Sequence, residues 1–453
     1  MFSKVLVANR GAIARRVIHA CNELGVASVA VFSDADGGAP YLEEATETVR
    51  LAGERALDTY LNGPALLDAL RASGADALHP GYGFLAENGT FAREVVAAGA
   101  VFIGPDPRWL DAMGDKVEAR RLAAQHGLPV FGGSEALDDP ERALEVAAEI
   151  GYPVMLKPSA GGGGIGMRVV RDQAELTAAM VQAREVARRS FASDGLFLER
   201  WIEHGRHIEF QLLADGQGGA MHLHERECSV QRRHQKVVEE CPAPVIDRAE
   251  LTAMADQATA FASAVGYDNV GTLEMLRAGE GDYGFLEMNT RIQVEHGVTE
   301  AVTGVDLVVA QIRLAAGDGL PDAIGAAAAP GIDGHALEAR VYAEHPHTQL
   351  PSTGRLAVFR PPRLHGVRVD TGYRAGQTVT PFYDPLLAKV IGHGTTRAQA
   401  IGRVLVALKA FEVEGVATNI PLLAALLSDE EFLAGTVDTG TLPRLLANGF
   451  RAS

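Results

Sequence analysis

The opening stretch alternates between sheet and helix in a way that few folds can accommodate. Lys4–Ala8 is a short apolar run, Asn9-Arg10-Gly11 a turn, and Ala12–Leu24 a helical pattern with Ile13, Val17, Ala20 and Leu24 on one face. Gly25 stops that helix, and Ala27–Phe32 is a second apolar run before the loop Ser33–Gly38. Two strands joined by one helix at this length predict a parallel, doubly wound α/β sheet. The first turn lacks G-x-G-x-x-G, so a nicotinamide-binding fold is not supported. A further strand pattern, Ala75–His79, runs into His79-Pro80-Gly81-Tyr82-Gly83-Phe84-Leu85-Ala86-Glu87-Asn88. Open α/β sheets place ligands at the carboxyl ends of such strands, although a Gly-rich stretch taken alone is equally a surface loop.

At 453 residues the chain calls for two to four domains. Its 47% hydrophobic and 22% charged content describe a soluble globular protein, and no run of 18 apolar residues predicts a membrane span. Met1–Ala8 enters a strand at once, with no leader pattern ahead of it. Cys21, Cys228 and Cys241 have neither zinc spacing nor the number for a disulfide framework, which predicts a reducing cytoplasm. A formal charge of −17 argues against nucleic acid or an anionic membrane as the main partner. An acidic protein that handles anions must gather its few cations in one place.

Three stretches fit that requirement. Gly114-Asp115-Lys116 opens a helix, where a lone lysine is ordinarily surface. Gly151–Ala160, glycines 161–164 and Ile165–Val170 read as two apolar strands joined by a glycine tip. Without the G-K-[ST] ending of a P-loop, this suits a flap whose amides close over phosphates, with Lys157 donating charge. Gln231-Arg232-Arg233-His234-Gln235-Lys236 packs two Arg, a Lys and a His between strand patterns. The strands around these stretches are Leu196–Ile202, the alternating His207–Leu213, and Ala220–His224.

Phe285–His296 carries the chemistry. Read as extended chain, Glu287, Asn289, Arg291, Gln293 and Glu295 share one side, while Leu286, Met288, Thr290, Ile292 and Val294 face the other. Carboxylate and amide oxygens suit Mg²⁺ on nucleotide phosphates; Arg and Gln suit a small planar oxyanion. Gly271-Thr272-Leu273-Glu274 precedes the turn residues 278–282, so pairing of the two strands would bring Glu274 towards Glu287. Residues 315–334, rich in Gly, Ala and Pro, mark a linker or domain edge before a smaller C-terminal region. That region opens with the strand pattern His335–Tyr342, which contains Arg340, and closes with helices at Thr396–Glu412 and Ile420–Leu427.

From Ala8-Asn9-Arg10-Gly11 to about Asn419 the sequence closely resembles biotin carboxylase, the ATP-grasp subunit or domain of biotin-dependent carboxylases. The resemblance rests on His79–Asn88, Met113–Lys116, Ala160–Met167, Cys228–Glu240 and Glu287–His296, in this order and spacing. It implies an N-terminal doubly wound parallel-sheet domain (1–114), an ATP-grasp domain (115–330) with a glycine-rich lid at about 131–203, and a small C-terminal α+β domain (331–446). It implies that Lys116, Lys157, the backbone of Gly163 and Gly164, and His207 hold ATP phosphates and ribose. Glu199, Arg200, Trp201 and Ile202 would hold adenine, with Gln231 and His234 nearby. Glu274, Glu287 and Asn289 would carry two Mg²⁺ or Mn²⁺ ions. Lys236, Arg291, Gln293 and the Val294 amide would bind bicarbonate, with Glu295 as its general base. Arg340, beside Tyr82, would face the biotin ureido group.

The implied reaction is ATP-dependent carboxylation of biotin by bicarbonate through carboxyphosphate. Two positions depart from the family: Ile165 replaces an Arg or Lys, which predicts a weaker hold on triphosphate, and Gly297 replaces a proline, which predicts a looser turn after Glu295. The alternatives are another ATP-grasp carboxylate–amine ligase and a catalytically silent nucleotide-binding subunit. No Met-Lys-Met biotin-attachment hairpin occurs in the 453 residues. Biotin is therefore expected on a separate carboxyl carrier protein rather than attached to this chain, with a carboxyltransferase subunit selecting the final acceptor. Relatives of this kind are often homodimers or parts of larger complexes.

Overall fold

The structure, a computed structural model, describes residues 1–137, 139–159, 165–191, 194–325 and 331–450. Its first sheet has five parallel strands in the order Glu47–Leu51, Ala27–Ser33, Lys4–Val7, Ala77–His79 and Val101–Phe102. Helix Gly11–Glu23 makes the crossover between the first two strands in sequence, burying Ile13, Val17, Ala20 and Cys21. Chain order reverses at Lys4–Val7, so the turns following it and following His79 form the crevice where such sheets bind ligands. Asn9 ties those turns together, its Nδ2 donating to the carbonyls of Pro80 (2.7 Å) and Tyr82 (2.8 Å). Gly81 sits at φ +65°, and a Cβ there would lie 2.9 Å from Asn9 Nδ2. Only glycine meets both demands.

The second sheet is antiparallel and eight-stranded, ordered Asp282–Asn289, Asp268–Gly279, Arg206–Asp215, Ala220–Arg232, Gln235–Cys241, His335–Tyr342, Leu386–Gly394 and Val367–Thr371. It does not stop where the Gly/Ala/Pro-rich segment suggests a domain edge: Glu239 pairs with Glu338 and Glu240 with Leu337 across that line. The C-terminal strands therefore extend the central sheet, and Arg340 enters as part of it. Helix Arg248–Val265 covers one face through Leu251, Met254, Ala258 and Phe261. Helices Arg397–Ala410 and Ile420–Leu426 cover the C-terminal end.

A three-stranded sheet, Arg168–Val170, Val154–Pro158 and Leu196–Arg200, stands apart from both. Its hairpin register, Val154 opposite Val170, matches the two apolar strands read from the sequence. Helices Pro140–Ile150 and Gln173–Phe191 back it through Ala143, Val146, Leu176 and Met180. Its glycine tip, including Gly163 and Gly164, lies outside the described residues. All three cysteines are buried and free. Among the described residues no helix is long and apolar enough to cross a membrane.

The first and last parts of the chain are pressed together at Gly372, where an added Cβ would lie 2.3 Å from the Gly11 backbone. Arg15 reinforces the seam by donating to the Thr371 carbonyl at 3.3 Å. Gly372→Ala should lower thermal stability by about 1–3 kcal/mol, the usual cost of overpacking. Gly402, on helix Arg397–Ala410 with nothing within 4 Å of a Cβ, should respond in the opposite sense. Gly402→Ala is expected to raise stability by up to about 1 kcal/mol. Melting curves of both variants check the pair, and equal melting temperatures would contradict the packing described.

Candidate active site

A cleft of about 1110 Å³ opens between the parallel sheet, the eight-stranded sheet and the three-stranded lid. Strands Asp268–Gly279 and Asp282–Asn289 bring Glu274 directly opposite Glu287, as the turn between them predicts. The register slips at Leu286: Glu274 faces Glu287 but Met275 faces Phe285. This bulge breaks the strict alternation read from the sequence. Phe285 joins Met288 in the core, and three successive residues, Phe285, Leu286 and Glu287, border the cleft.

The extended reading of Phe285–His296 also ends early. The strand stops at Asn289, residues 290–295 turn, and helix His296–Thr303 follows. The chain leaves the ladder because Glu87, from the loop after the parallel strand, captures it. Glu87 accepts from the Thr290 amide at 3.3 Å and from Arg291 Nε at 2.9 Å. His296 then closes the turn, its Nδ1 lying 2.6 Å from the Gln293 carbonyl. Because a carbonyl only accepts, that nitrogen carries the hydrogen. Glu287, Asn289, Arg291, Gln293 and Glu295 nevertheless all line the cleft, by turning rather than by alternation. Gly297 follows this turn directly. It is buried within the helix's first turn, and Ile391 Cδ1 occupies the space where its Cβ would be, 2.5 Å away.

Lys236, the last residue of the basic cluster, on strand Gln235–Cys241, sits at the centre. Its ammonium donates to Glu274 (2.8 Å), to Glu295 (2.8 Å) and to Glu209. Arg340 takes the other Glu295 oxygen at 2.9 Å and pairs with Glu239 at 2.5 Å. Burial alone would raise the Glu295 carboxyl, but Lys236, Arg340 and Arg226 outweigh it and hold the group well below the usual carboxylate range. Burial acts on Glu274 and Glu287 in the same way, and Lys236 with His207 for the first and Lys116 for the second again lower them. These carboxylates are therefore ionised at neutral pH. Behind Arg340 the balance tips the other way: burial pushes Glu239 up to about 8 and Glu338 up to about 7, despite the nearby cations.

Towards the lid, Lys116 pairs with Glu287, and Lys157 pairs with Glu199. His207 lies 2.8 Å from Glu274 and 2.7 Å from Gln231. Arg200, Trp201, Ile202 and His234 line the same end. Ile165 is half exposed at the rim, on the cleft side of the hairpin. Tyr82 and Val294 line the opposite end with Arg340. The structure thus brings every described candidate residue into one cleft.

Other residues of the site were not singled out by sequence. Arg226, wholly buried, binds Glu209 and donates to Gln211 and Thr299 at 2.8 Å each. The strand Arg206–Asp215 gave the available signal: His207, Glu209 and Gln211 alternate, so a polar row faces one way. Arg120, 3.4 Å from Glu199, gave none, since one arginine on a helix is ordinarily solvated.

Donors able to take a divalent ion fall into two sets. The first is built on Glu209, with His207 and Glu274 or with Cys228 and Glu295, and it mixes in a nitrogen or sulfur donor that hard cations disfavour. Glu274, Glu287 and Asn289 offer ionised, all-oxygen donors on paired strands, the chemistry Mg²⁺ and Mn²⁺ prefer. The second set fits.

Known proteins resemble this chain along nearly its whole length. Residues 1–110 match the profile of the biotin carboxylase N-terminal domain, 115–323 that of the carbamoyl-phosphate synthase L chain ATP-binding domain, and 338–444 that of the biotin carboxylase C-terminal domain. Biotin carboxylase 2 of Bacillus subtilis is 46% identical, covering 98% of this chain and 100% of its own. The human mitochondrial propionyl-CoA carboxylase alpha chain is 44% identical over 99% of this chain and 62% of its own. Among solved structures, a Campylobacter jejuni biotin carboxylase complexed with β,γ-ATP superposes with a TM-score of 0.95 at 37% identity, covering 98% of this chain and 99% of its own. The biotin carboxylase domain dimer of Hydrogenobacter thermophilus 2-oxoglutarate carboxylase, holding MgADP, ADP and bicarbonate, gives 0.93 at 42% identity over 98% of both chains.

Arg226→Met should destabilise the protein by about 2–4 kcal/mol, because it strips the buried Glu209 of one of its two cations and leaves Lys236 alone to hold it. Adding Glu209→Gln should recover part of that loss. Urea denaturation midpoints test the cycle, and a single variant within about 1 kcal/mol of the parent would contradict the assignment.

Proposed function

The chain belongs to the biotin carboxylase family, and from that premise we propose that it is an ATP-dependent ligase that carboxylates carrier-borne biotin with bicarbonate. ADP and phosphate are the other products, and the reaction is the first half of a biotin-dependent carboxylation. One observation carries this reading: a single cleft holds Glu295 between Lys236 and Arg340, beside the cross-strand Glu274/Glu287 pair.

Bicarbonate is a poor electrophile, so its hydroxyl oxygen must attack the γ-phosphorus of ATP while its proton is removed. Glu295 takes that proton in this reading. Held by two cations, it is a weak base. When bicarbonate draws Lys236 to itself, the charge that depresses Glu295 falls and its basicity rises. Lys116 and Lys157 supply positive charge along the phosphates from the two sides of the cleft, and His207 with Gln231 borders the same end. Glu274, Glu287 and Asn289 would hold Mg²⁺ or Mn²⁺, which supplies neutralising charge to the phosphate oxygens during transfer.

The new O–P bond replaces the bond from the γ-phosphorus to ADP, giving carboxyphosphate. Breakage of its C–O bond releases CO₂ and phosphate inside a cleft the lid must close to exclude water. Phosphate then accepts the ureido N–H proton, the nitrogen attacks CO₂, and Arg340 stabilises the negative oxygen of the ureido group beside Tyr82.

These residues include no Met-Lys-Met hairpin, so biotin arrives on a carrier element outside them, and a carboxyltransferase receives the product. A cytoplasmic homodimer or a larger carboxylase assembly suits this role. Phosphate release from ATP should require bicarbonate and rise on adding biotin. Release that ignores bicarbonate would overturn the reading.

Glu295→Gln should slow bicarbonate-dependent turnover by ~10²–10⁴-fold, the worth of a positioned base, while ATP binding by calorimetry stays near the parent value. Turnover within threefold of the parent would remove Glu295 from the mechanism. Glu287→Gln with Asn289→Ala should move the Mg²⁺ midpoint of activity sharply upwards at saturating ATP. An unchanged midpoint would place the ion elsewhere.

A further inference from the structure

Lys389 has no part in the chemistry above, yet it lies against it. It sits on strand Leu386–Gly394 and is 2% exposed. The ladder places it between Arg340 on one neighbouring strand and Asp370 on the other. Its ammonium donates to the Val294 carbonyl at 2.6 Å and lies 3.4 Å from Asp370 and 3.5 Å from Glu338. The C-terminal strands therefore reach consecutive residues of one turn, Lys389 holding the Val294 backbone and Arg340 the Glu295 side chain.

The preceding peptide is pinned as well, since His296 Nδ1 donates to the Gln293 carbonyl. The amide proposed to bind bicarbonate, Val294 N–H, belongs to that Gln293–Val294 peptide. Both carbonyls flanking Val294 are thus held from behind by buried donors, which fixes the direction of its N–H and polarises it. The Val294 carbonyl is the nearest acceptor of this ammonium, closer than either carboxylate.

We propose that Lys389 is a positioning residue for bicarbonate, fixing the Gln293–Glu295 turn so that the Val294 amide and the Glu295 carboxylate meet the same anion. This rests on the bicarbonate reading of that turn. Its reach is narrow: the nucleotide end of the cleft, built on Lys116, Lys157 and Glu199, makes no contact with Lys389 in the hydrogen bonds and ion pairs of the described residues.

The test is steady-state kinetics with ATP, bicarbonate and free biotin, alongside calorimetric nucleotide binding. Lys389→Met should raise the KM for bicarbonate by roughly 10-fold or more, as expected for losing a charge-assisted hydrogen bond, with nucleotide affinity within threefold of the parent. Lys389→Arg should restore most of the loss. If Lys389→Met does not fold, Asp370→Asn keeps the ammonium but loosens its anchor, and a smaller rise in the same constant is expected. Gln293→Ala separates the two claims. If it raises the bicarbonate KM while Lys389→Met and Asp370→Asn leave that constant within twofold, the positioning role fails and the bicarbonate site stands. If none of the three moves it, both fail. Parallel loss of nucleotide and bicarbonate binding in Lys389→Met would mark a merely structural lysine and overturn the proposal.

Discussion

One ammonium group holds three buried carboxylates. Lys236 meets Glu209, Glu274 and Glu295, groups that would repel one another and expel their charges without it. The three come from strand Arg206–Asp215, strand Asp268–Gly279 and the turn after Asn289, so their convergence requires the whole central sheet. Arg226 adds the second buried cation below Glu209, and Arg340 the third above Glu295. The cleft is thus a lattice of alternating charge, poised so that an incoming anion redistributes it.

The continuity of the eight-stranded sheet explains how the C-terminal residues take part. Arg340 and Lys389 are neighbours in one ladder, and that ladder is hydrogen-bonded to the strand carrying Lys236 through the pairing of Glu239 with Glu338. Moving the last strands would move the cations acting on Glu295 and Val294. The N-terminal sheet acts on the same turn from the other side, through Glu87, and is itself locked to the C-terminal strands at Gly11 and Gly372. The lid sheet shares none of the eight-stranded ladder and carries Lys157 on a strand of its own.

Much of this was legible in the sequence because it is local. The parallel sheet follows from apolar runs and one helical stripe, the lid hairpin from two strands around glycines, and the Glu274/Glu287 pair from a turn between two strands. What failed to show is what distant residues impose. The strand through Asn289 ends because Glu87, 203 positions earlier, takes the next amide; alternation alone carries on past it. The merging of the C-terminal strands with the central sheet depends on backbone pairing across a Gly/Ala/Pro-rich segment that reads as a boundary. Gly297 read as a weakness because its partner, Ile391, lies on another strand. Lys389 was silent, a lone lysine in an apolar strand.

The account stands or falls on whether Glu295 and its cations direct bicarbonate, rather than water, onto the γ-phosphorus. Turnover with ¹⁸O-labelled bicarbonate in unlabelled water, followed by mass analysis of the phosphate, reads this directly. The attack described transfers one bicarbonate oxygen, so each phosphate should carry one oxygen from the labelled pool. Phosphate carrying only unlabelled oxygen, released at the rate of bicarbonate-dependent turnover, would mean that water is the nucleophile and would contradict the account.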